Sequence, residues 1–333
     1  MSWTVYRSSD ASAPVLAGNT LGGLITVLDA CLVNGYGSKA AAGWSNAFTT
    51  AGNVAVYRPG VASTARMYYR INDNGAFGGG GTEAAIVGYE TMSDLNTGTN
   101  AFPTAAQRAN GRQLGKTDAA DTTSRDWFVA ADAKTCIYGV YLPSILVWQV
   151  HYFGEIATFT PGDAYHAIVV AGELGSTPTG SATSPISFDF ITKTNVTNGD
   201  WTANGVKYLA RSHDQLGTAV ASQLTPDSSI CLNYAGRGAT PGYQPGWGYL
   251  GKLNPADGAV YLCSFMIGYP GGVVRGKLRG MWVAMHDTRF WANNESFNGT
   301  GTLVGRTFEM KHIYPTGTAN RCLMALETSN TVT

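Results

Sequence analysis

Glycines are the first residues in this chain that suggest chemistry. Residues 71–82 read INDNGAFGGGGT, so Gly78 to Gly81 run straight into Thr82. The backbone N–H groups of such a loop cradle phosphate when a lysine and a helix N-terminus complete the site. Gly75 and Gly80 have the Walker spacing, but Gly81 stands where the lysine belongs, and TEAAIVGYETM after it alternates like a strand. A dinucleotide fingerprint fails as well, because Glu83 fills the place of the third glycine. A calcium loop needs several carboxylates, and Asp73 is the one carboxylate in NDNG. The stretch therefore reads as a hairpin tip turning at Asn74-Gly75. Its glycines accept positive φ at little cost and give slack that can settle against a neighbour.

The other reactive side chains form no local constellation. His151, His166, His213, His286 and His312 show no zinc-type pairing, and no G-x-S-x-G elbow occurs. No metal or cofactor is expected. Asp94, Asp118, Asp121, Asp163, Asp200 and Asp257 lie in turn-like text and read as solvated; a facing carboxylate pair of the glycosidase kind is the alternative. Arg275, Lys277 and Arg279 alternate along VRGKLRG. They read as a solvated strand face, with a salt-bridged contact to a partner subunit as the alternative. In GYQPGWGYL, Tyr243, Trp247 and Tyr249 either anchor their own loop, fill a subunit interface or stack on a sugar ring. Cys31, Cys136, Cys231, Cys263 and Cys322 are scattered among apolar neighbours without a C-x-x-C pair, and read as buried thiols of a reducing compartment.

The elements that must position these residues are mostly strands. The net charge is zero, charged residues make up 13% of the chain, about half the usual share, and glycine is abundant. A balanced charge without basic runs argues against nucleic acid as a partner. No apolar run is long enough to span a membrane. The opening MSWTVYRSSD carries no leader-like segment, so synthesis and folding in the cytosol are expected.

NTLGGLITVLDACLVNGYG sets Leu21, Leu24, Ile25, Leu28, Cys31 and Leu32 at helical spacing, with Asn19 or Thr20 as cap and Asn34-Gly35 as stop. The expected organisation is an N-terminal arm (1–18), this amphipathic helix (19–35), a first antiparallel β region (36–175), a Gly/Ser/Thr/Pro loop (176–185) and a second β region (186–333), which can be continuous with the first. Strands are expected at 53–59, 65–72, 84–92, 126–132, 136–142, 145–156, 164–174, 186–192, 206–212, 218–224, 229–234, 259–269, 273–287, 302–314 and 321–328. SDLNTGTNAFPTAAQ reads as a loop. The class is all-β, an antiparallel sandwich or open barrel with one short N-terminal amphipathic helix.

Several stretches resemble a family of virion structural proteins of tailed bacteriophages. They are MSWTVYRSSDASAPVL, TVLDACLVNGYGSKAAAGW, YRINDNG with VGYETMSDLNTGTNAFPTA, VVRGKLRGMWVAMHD and GRTFEMKHIY, and they span nearly the whole chain. The resemblance implies a non-catalytic part of a particle, released by lysis, whose partners are copies of itself and other virion proteins. A symmetric oligomer of the tail or neck, or a base for fibres, is the first expectation. A capsid decoration protein, a carbohydrate-binding receptor-recognition module that contacts host surface glycan, and a polysaccharide-cleaving enzyme are the alternatives. Trp3, Tyr6 and Leu16 of the arm and Tyr243 and Trp247 of the loop are the expected contact residues.

Overall fold

The computed structural model describes residues 3–75, 81–106, 109–144, 146–171, 207–211, 222–224, 260–269, 273–284, 291–313 and 323–330. The chain is all-β: three antiparallel sheets, one short α-helix, and no barrel closure among the described residues.

The central sheet joins β1 (Thr4–Arg7), β8 (Trp127–Ala131), β9 (Thr135–Leu142), β10 (Val147–Glu155), β12 (Ala167–Val170), β13 (Lys207–Leu209) and β14 (Ser222–Leu224), in that spatial order. Successive side chains on a strand point to opposite faces. In WFVAA, Trp127, Val129 and Ala131 enter one core while Phe128 and Ala130 enter another. The same split sends Phe153 one way and Trp148, Val150 and Tyr152 the other. A sheet buried on both faces explains why β8 to β10 read as near-continuous apolar runs.

The first face is covered by β2 (Ser45–Asn46), β3 (Val54–Arg58), β4 (Tyr68–Asn72), β5 (Glu83–Met92), β6 (Gly98–Phe102) and β7 (Arg112–Gly115). Tyr57, Tyr69, Ile71, Ile86, Phe102 and Leu114 fill the shared core. The second face is covered by β11 (Ala157–Thr158), β15 (Leu262–Tyr269), β16 (Val273–Ala284), β17 (Ser296–Asn298), β18 (Thr307–His312) and β19 (Leu323–Glu327). Phe265, Leu278, Met281, Met324 and Leu326 pack there against Trp3, Val5, Phe128 and Trp148. The second core therefore draws residues from both β regions of the sequence. Residues 176–185 lie outside the described residues, as do the strands expected at 186–192 and 229–234.

INDNG forms the end of a hairpin arm: β4 and β5 pair with Asn72 opposite Ala85. Gly81 has φ +91, and a Cβ there would stand 2.9 Å from the Asn19 carbonyl oxygen. Asp73, expected in an open turn, is fully buried instead. Its Oδ1 is 2.5 Å from Lys116 Nζ, its Oδ2 accepts from Leu24 N at 2.9 Å, and Lys116 Nζ also donates to the Thr20 carbonyl at 2.8 Å. This explains a difference at the helix. Helix α1 spans Gly23–Leu28 and widens into a π-helical segment over Asp29–Asn34. Asp73, just past the end of β4, caps it through Leu24 N, and left-handed Gly22 takes the position that Asn19 or Thr20 was expected to hold. The chain turns at Gly35, φ +77, and the carbonyls of Cys31 and Leu32 accept from Ala42, Gly43 and Trp44. The apolar face of the helix docks on its own core through Leu24, Val27, Leu28 and Leu32.

The stretch read as a loop contains β6, a half-exposed strand in which Gly98, Asn100 and Ala101 have low β-propensity and which ends in buried Phe102. Short β7 and β17 were also not expected. β7 is fully buried despite its polar text, with Arg112 donating to the Ala171 carbonyl.

Candidate functional site

A cleft of about 470 Å³ opens where the central sheet meets β17 and β18. Period-two alternation builds it. Along β1, Trp3 and Val5 face the second core, and Arg7 continues that face to the end of the strand. Along β18, Phe308 and Met310 pack outward with Phe297 and Trp282, which turns Glu309 and Lys311 inward. Arg7 Nη2 stands 2.5 Å from Glu309 Oε2, and Lys311 Nζ stands 2.5 Å from Glu309 Oε1.

The Lys311 ammonium also donates to Asn294 Oδ1 at 2.7 Å. It lies 4.5 Å from the ring centre of Trp148 and 4.8 Å from that of Phe128. Burial lowers its pKa to about 8, against the opposing pull of Glu309. For Glu309, burial favours the neutral acid, but Lys311 and Arg7 prevail and hold the carboxyl below its ordinary value. A glycosidase acid must keep its proton near neutrality. Glu309 is tuned the other way and acts as a fixed anion between two cations.

The rim is polar and rigidly placed. Asn294 sits at φ +67 in the turn before β17, pinned by its N–H to the Met310 carbonyl at 2.7 Å and by Met310 N–H to the Glu295 carbonyl at 2.8 Å. Asn293 Oδ1 accepts from Trp148 Nε1 and from His312 N, both at 3.1 Å. Opposite, Ser8 Oγ donates to Asp126 Oδ1 at 3.2 Å, and Tyr141 N–H donates to the Asp126 carbonyl at 2.8 Å.

A second cluster joins all three sheets. Glu155 accepts from Ser63 Oγ at 2.6 Å and from Ala65 N at 2.8 Å, and its Oε2 lies 3.5 Å from His166 Nε2. Thr64 Oγ1 is 3.3 Å from the same nitrogen, and His166 Nδ1 meets the Asp163 carbonyl. The order resembles a nucleophile, a base and an orienting group, but the electrostatics oppose it. Burial disfavours a charged His166, yet Glu155 and Asp163 outweigh burial and raise its pKa. Burial likewise opposes ionised Glu155, while His166, Ser63 and Ala65 bring it to about 2. Glu155 and Asp163 thus favour the protonated ring, which works against its accepting the threonine proton, and the contacts tie the Ser63–Ala65 turn to Glu155 of β10.

The expected contact residues sit differently. Trp3, Tyr6 and Leu16 are buried by their own chain. Trp3 Nε1 donates to the Glu327 carbonyl at 2.9 Å, Tyr6 OH donates to the Ala40 carbonyl at 2.6 Å, and the Leu16 carbonyl accepts from Arg125 N at 2.8 Å. Within the arm, Thr4–Arg7 form an edge strand of the central sheet, with Tyr6 in one core and Trp3 and Val5 in the other. Tyr243, Trp247 and Tyr249 lie outside the described residues, as do His213, His286, Asp200 and Asp257. The solvated readings of Asp163, Arg275 and Arg279 are corrected. Asp163 grips buried Arg275 through two oxygens at 2.6 and 2.8 Å, and Arg279 is 2.7 Å from Asp132. Asp118 is buried beside Arg125 at 3.7 Å. Cys31 and Cys136 are buried free thiols, and Cys263 is half-buried. Histidine His151 is fully buried, accepting from Gly115 N at 3.1 Å.

Sequence reasoning missed the cleft. Its one legible signal is the alternation in FEMKH, where Glu309 and Lys311 share a face. Arg7, Asp126, Trp148 and Asn294 come from segments that no local pattern connects. Among the described residues no His, Cys, Asp and Glu group is placed to hold a metal ion, and no helix is long and apolar enough to cross a membrane. No family model matches the chain, and no curated protein matches it either.

Proposed function

We propose that this chain is a structural subunit of a tailed-bacteriophage particle, assembling as a symmetric oligomer in the tail or neck or as a base for fibres. One observation carries the reading: the segments that resemble virion proteins contribute scaffold. Tyr6, Leu16, Cys31, Trp44, Tyr69 and Asp73 all come from those segments, and all are buried. In this chain those segments help lock the helix and the sheets together. The charges support the same reading. In a chain so poor in charge, Arg7–Glu309, Asp132–Arg279, Asp163–Arg275 and Glu90–Arg211 are ion pairs between separate elements, which suits a part that bears load.

Deleting the arm is an unsuitable test, because loss of buried Trp3 and Tyr6 would damage the fold itself. The direct test is mass spectrometry of particles purified from lysed host cells, with light scattering of the isolated full chain. The expected result is the chain present in particles at fixed stoichiometry and oligomeric in solution. Particles that lack it refute the reading. Labelling on the head alone would replace the tail position with capsid decoration.

A further inference from the structure

We propose that the cleft between β1, β8, β17 and β18 binds a neutral, polyhydroxylated ligand, a saccharide, through Arg7, Asp126 and Asn294. The volume of about 470 Å³ falls in the range of small-ligand sites. The charges of the lining balance: Arg7 and Lys311 are cationic, Asp126 and Glu309 anionic. A phosphate would meet two carboxylates there, and a divalent cation would meet a guanidinium and an ammonium. Apolar ligands find little to bind, since Trp127, Phe128 and Trp148 are 5% exposed or less and Lys311 covers the last two.

What the cleft offers is hydrogen-bonding capacity of both kinds. Glu309 occupies one nitrogen of Arg7; Nε and Nη1 have no side-chain partner among the described residues. Asn294 Oδ1 is taken by Lys311 Nζ, which directs its amide Nδ2 elsewhere as a donor. Asp126 Oδ1 is taken by Ser8, which leaves Oδ2 as an acceptor. Vicinal hydroxyls satisfy this combination, because each donates and accepts. The groups are preorganised: Asn294 is fixed through β18, and Arg7 through Glu309 and β1. Preorganised polar groups confer affinity without an ordering cost. The proposal does not depend on the virion reading, since a saccharide cleft would work equally in a protein outside any particle.

The test is a binding screen of the full chain on an immobilised panel of neutral and uronic- or sialic-acid oligosaccharides. The best binder is then titrated as free oligosaccharide by calorimetry. Asp126→Ala and Asn294→Gly are the variants: both side chains are exposed, and glycine keeps the left-handed φ. The expected result is binding of a neutral oligosaccharide, little affected by added salt, and weakened roughly tenfold or more by each substitution. Melting temperatures identical to the parent would show that the variants remain folded. No binding by any panel member, preference for the acidic sugars that fades with salt, or affinity unchanged in both variants would each overturn the proposal. A chain found in particles yet blind to the panel would sink this proposal and leave the virion reading standing.

Discussion

Replacing Lys116 with Met puts the reasoning about buried charge at greatest risk. Lys116 and Asp73 are both fully buried, and their side chains meet at 2.5 Å. Removing the ammonium leaves a carboxylate that keeps one donor, Leu24 N at 2.9 Å. Breaking a buried pair by deleting one partner costs roughly 3–5 kcal/mol. With a melting entropy of about 2.1 cal/mol/K per residue over 333 residues, roughly 0.7 kcal/mol/K in all, that corresponds to a fall of about 4–7 °C in melting temperature.

The pH dependence gives a second, independent signature. Burial raises the pKa of Asp73, with Lys116 opposing it. Without Lys116 the pKa rises further, so the folded chain holds a proton that the unfolded chain releases at about 3.9. Where the folded state binds more protons, stability falls as pH rises. The deficit of Lys116→Met should therefore grow as pH rises from about 4 through the raised folded pKa of Asp73. In the double variant with Asp73→Asn, the neutral amide still accepts from Leu24, so most of the deficit and all of its pH slope should vanish. Calorimetric melts of the parent, both single variants and the double variant across this range decide the matter. A Lys116→Met chain that melts within about 1 °C of the parent would refute the argument. So would a double variant that keeps the full deficit.

Three further outcomes follow from the same geometry. Trp3→Ala should cost about 3–5 kcal/mol in urea unfolding, as for any large buried aromatic, and Gly280→Ala should destabilise too, because Gly280 has φ +71 and its Cβ would stand 2.5 Å from the Trp3 ring; an arm that tolerates both is not part of the core. The raised pKa of His166 means its contribution to stability is full below about 6.5 and is lost as pH rises through the folded value. His166→Gln should erase that part of the slope between pH 6 and 9, read by urea unfolding at each pH. In a chain with Cys231 and Cys322 replaced by serine, a thiol reagent should label half-buried Cys263 first and reach Cys31 and Cys136 only on unfolding, since burial raises both of those thiols.

The sequence carried the class of the fold and most of the long strands, because period-two runs bounded by turn residues survive any packing. It did not carry the layering. β9 and β10 are apolar on both faces because each face has its own core, and such a run does not say which residue enters which core. The helix was recognisable from Leu24, Leu28 and Leu32, but its start was not: the cap is Asp73, forty-nine positions along the chain. The carboxylates were misjudged for the same reason. Asp163 sits in turn-like text, and its partner Arg275 is 112 residues away. Arg7 and Glu309 of the cleft are 302 residues apart.

These long-range polar contacts have a common physical role. Apolar faces are forgiving, and two sheets held by hydrophobic contact alone can shift register at modest cost. An ion pair in a dry setting is stabilising only at one geometry, and a shifted pair leaves charges buried and unmatched. Arg7–Glu309 and Asp132–Arg279 set the second sheet against the central one, while Glu155 with Ser63 and Arg211 with Glu90 set the first sheet against it. Removing any one of these pairs leaves apolar burial nearly unchanged but removes a constraint on position. Loss of uniqueness, seen as broadened spectra or faster hydrogen exchange at the sheet junctions, should therefore exceed what the loss of stability alone would suggest. The cleft gains from the same constraint: Arg7 and Lys311 are fixed by Glu309 because β1 and β18 must be held in register, and that fixation presents the remaining guanidinium donors to solvent in one orientation.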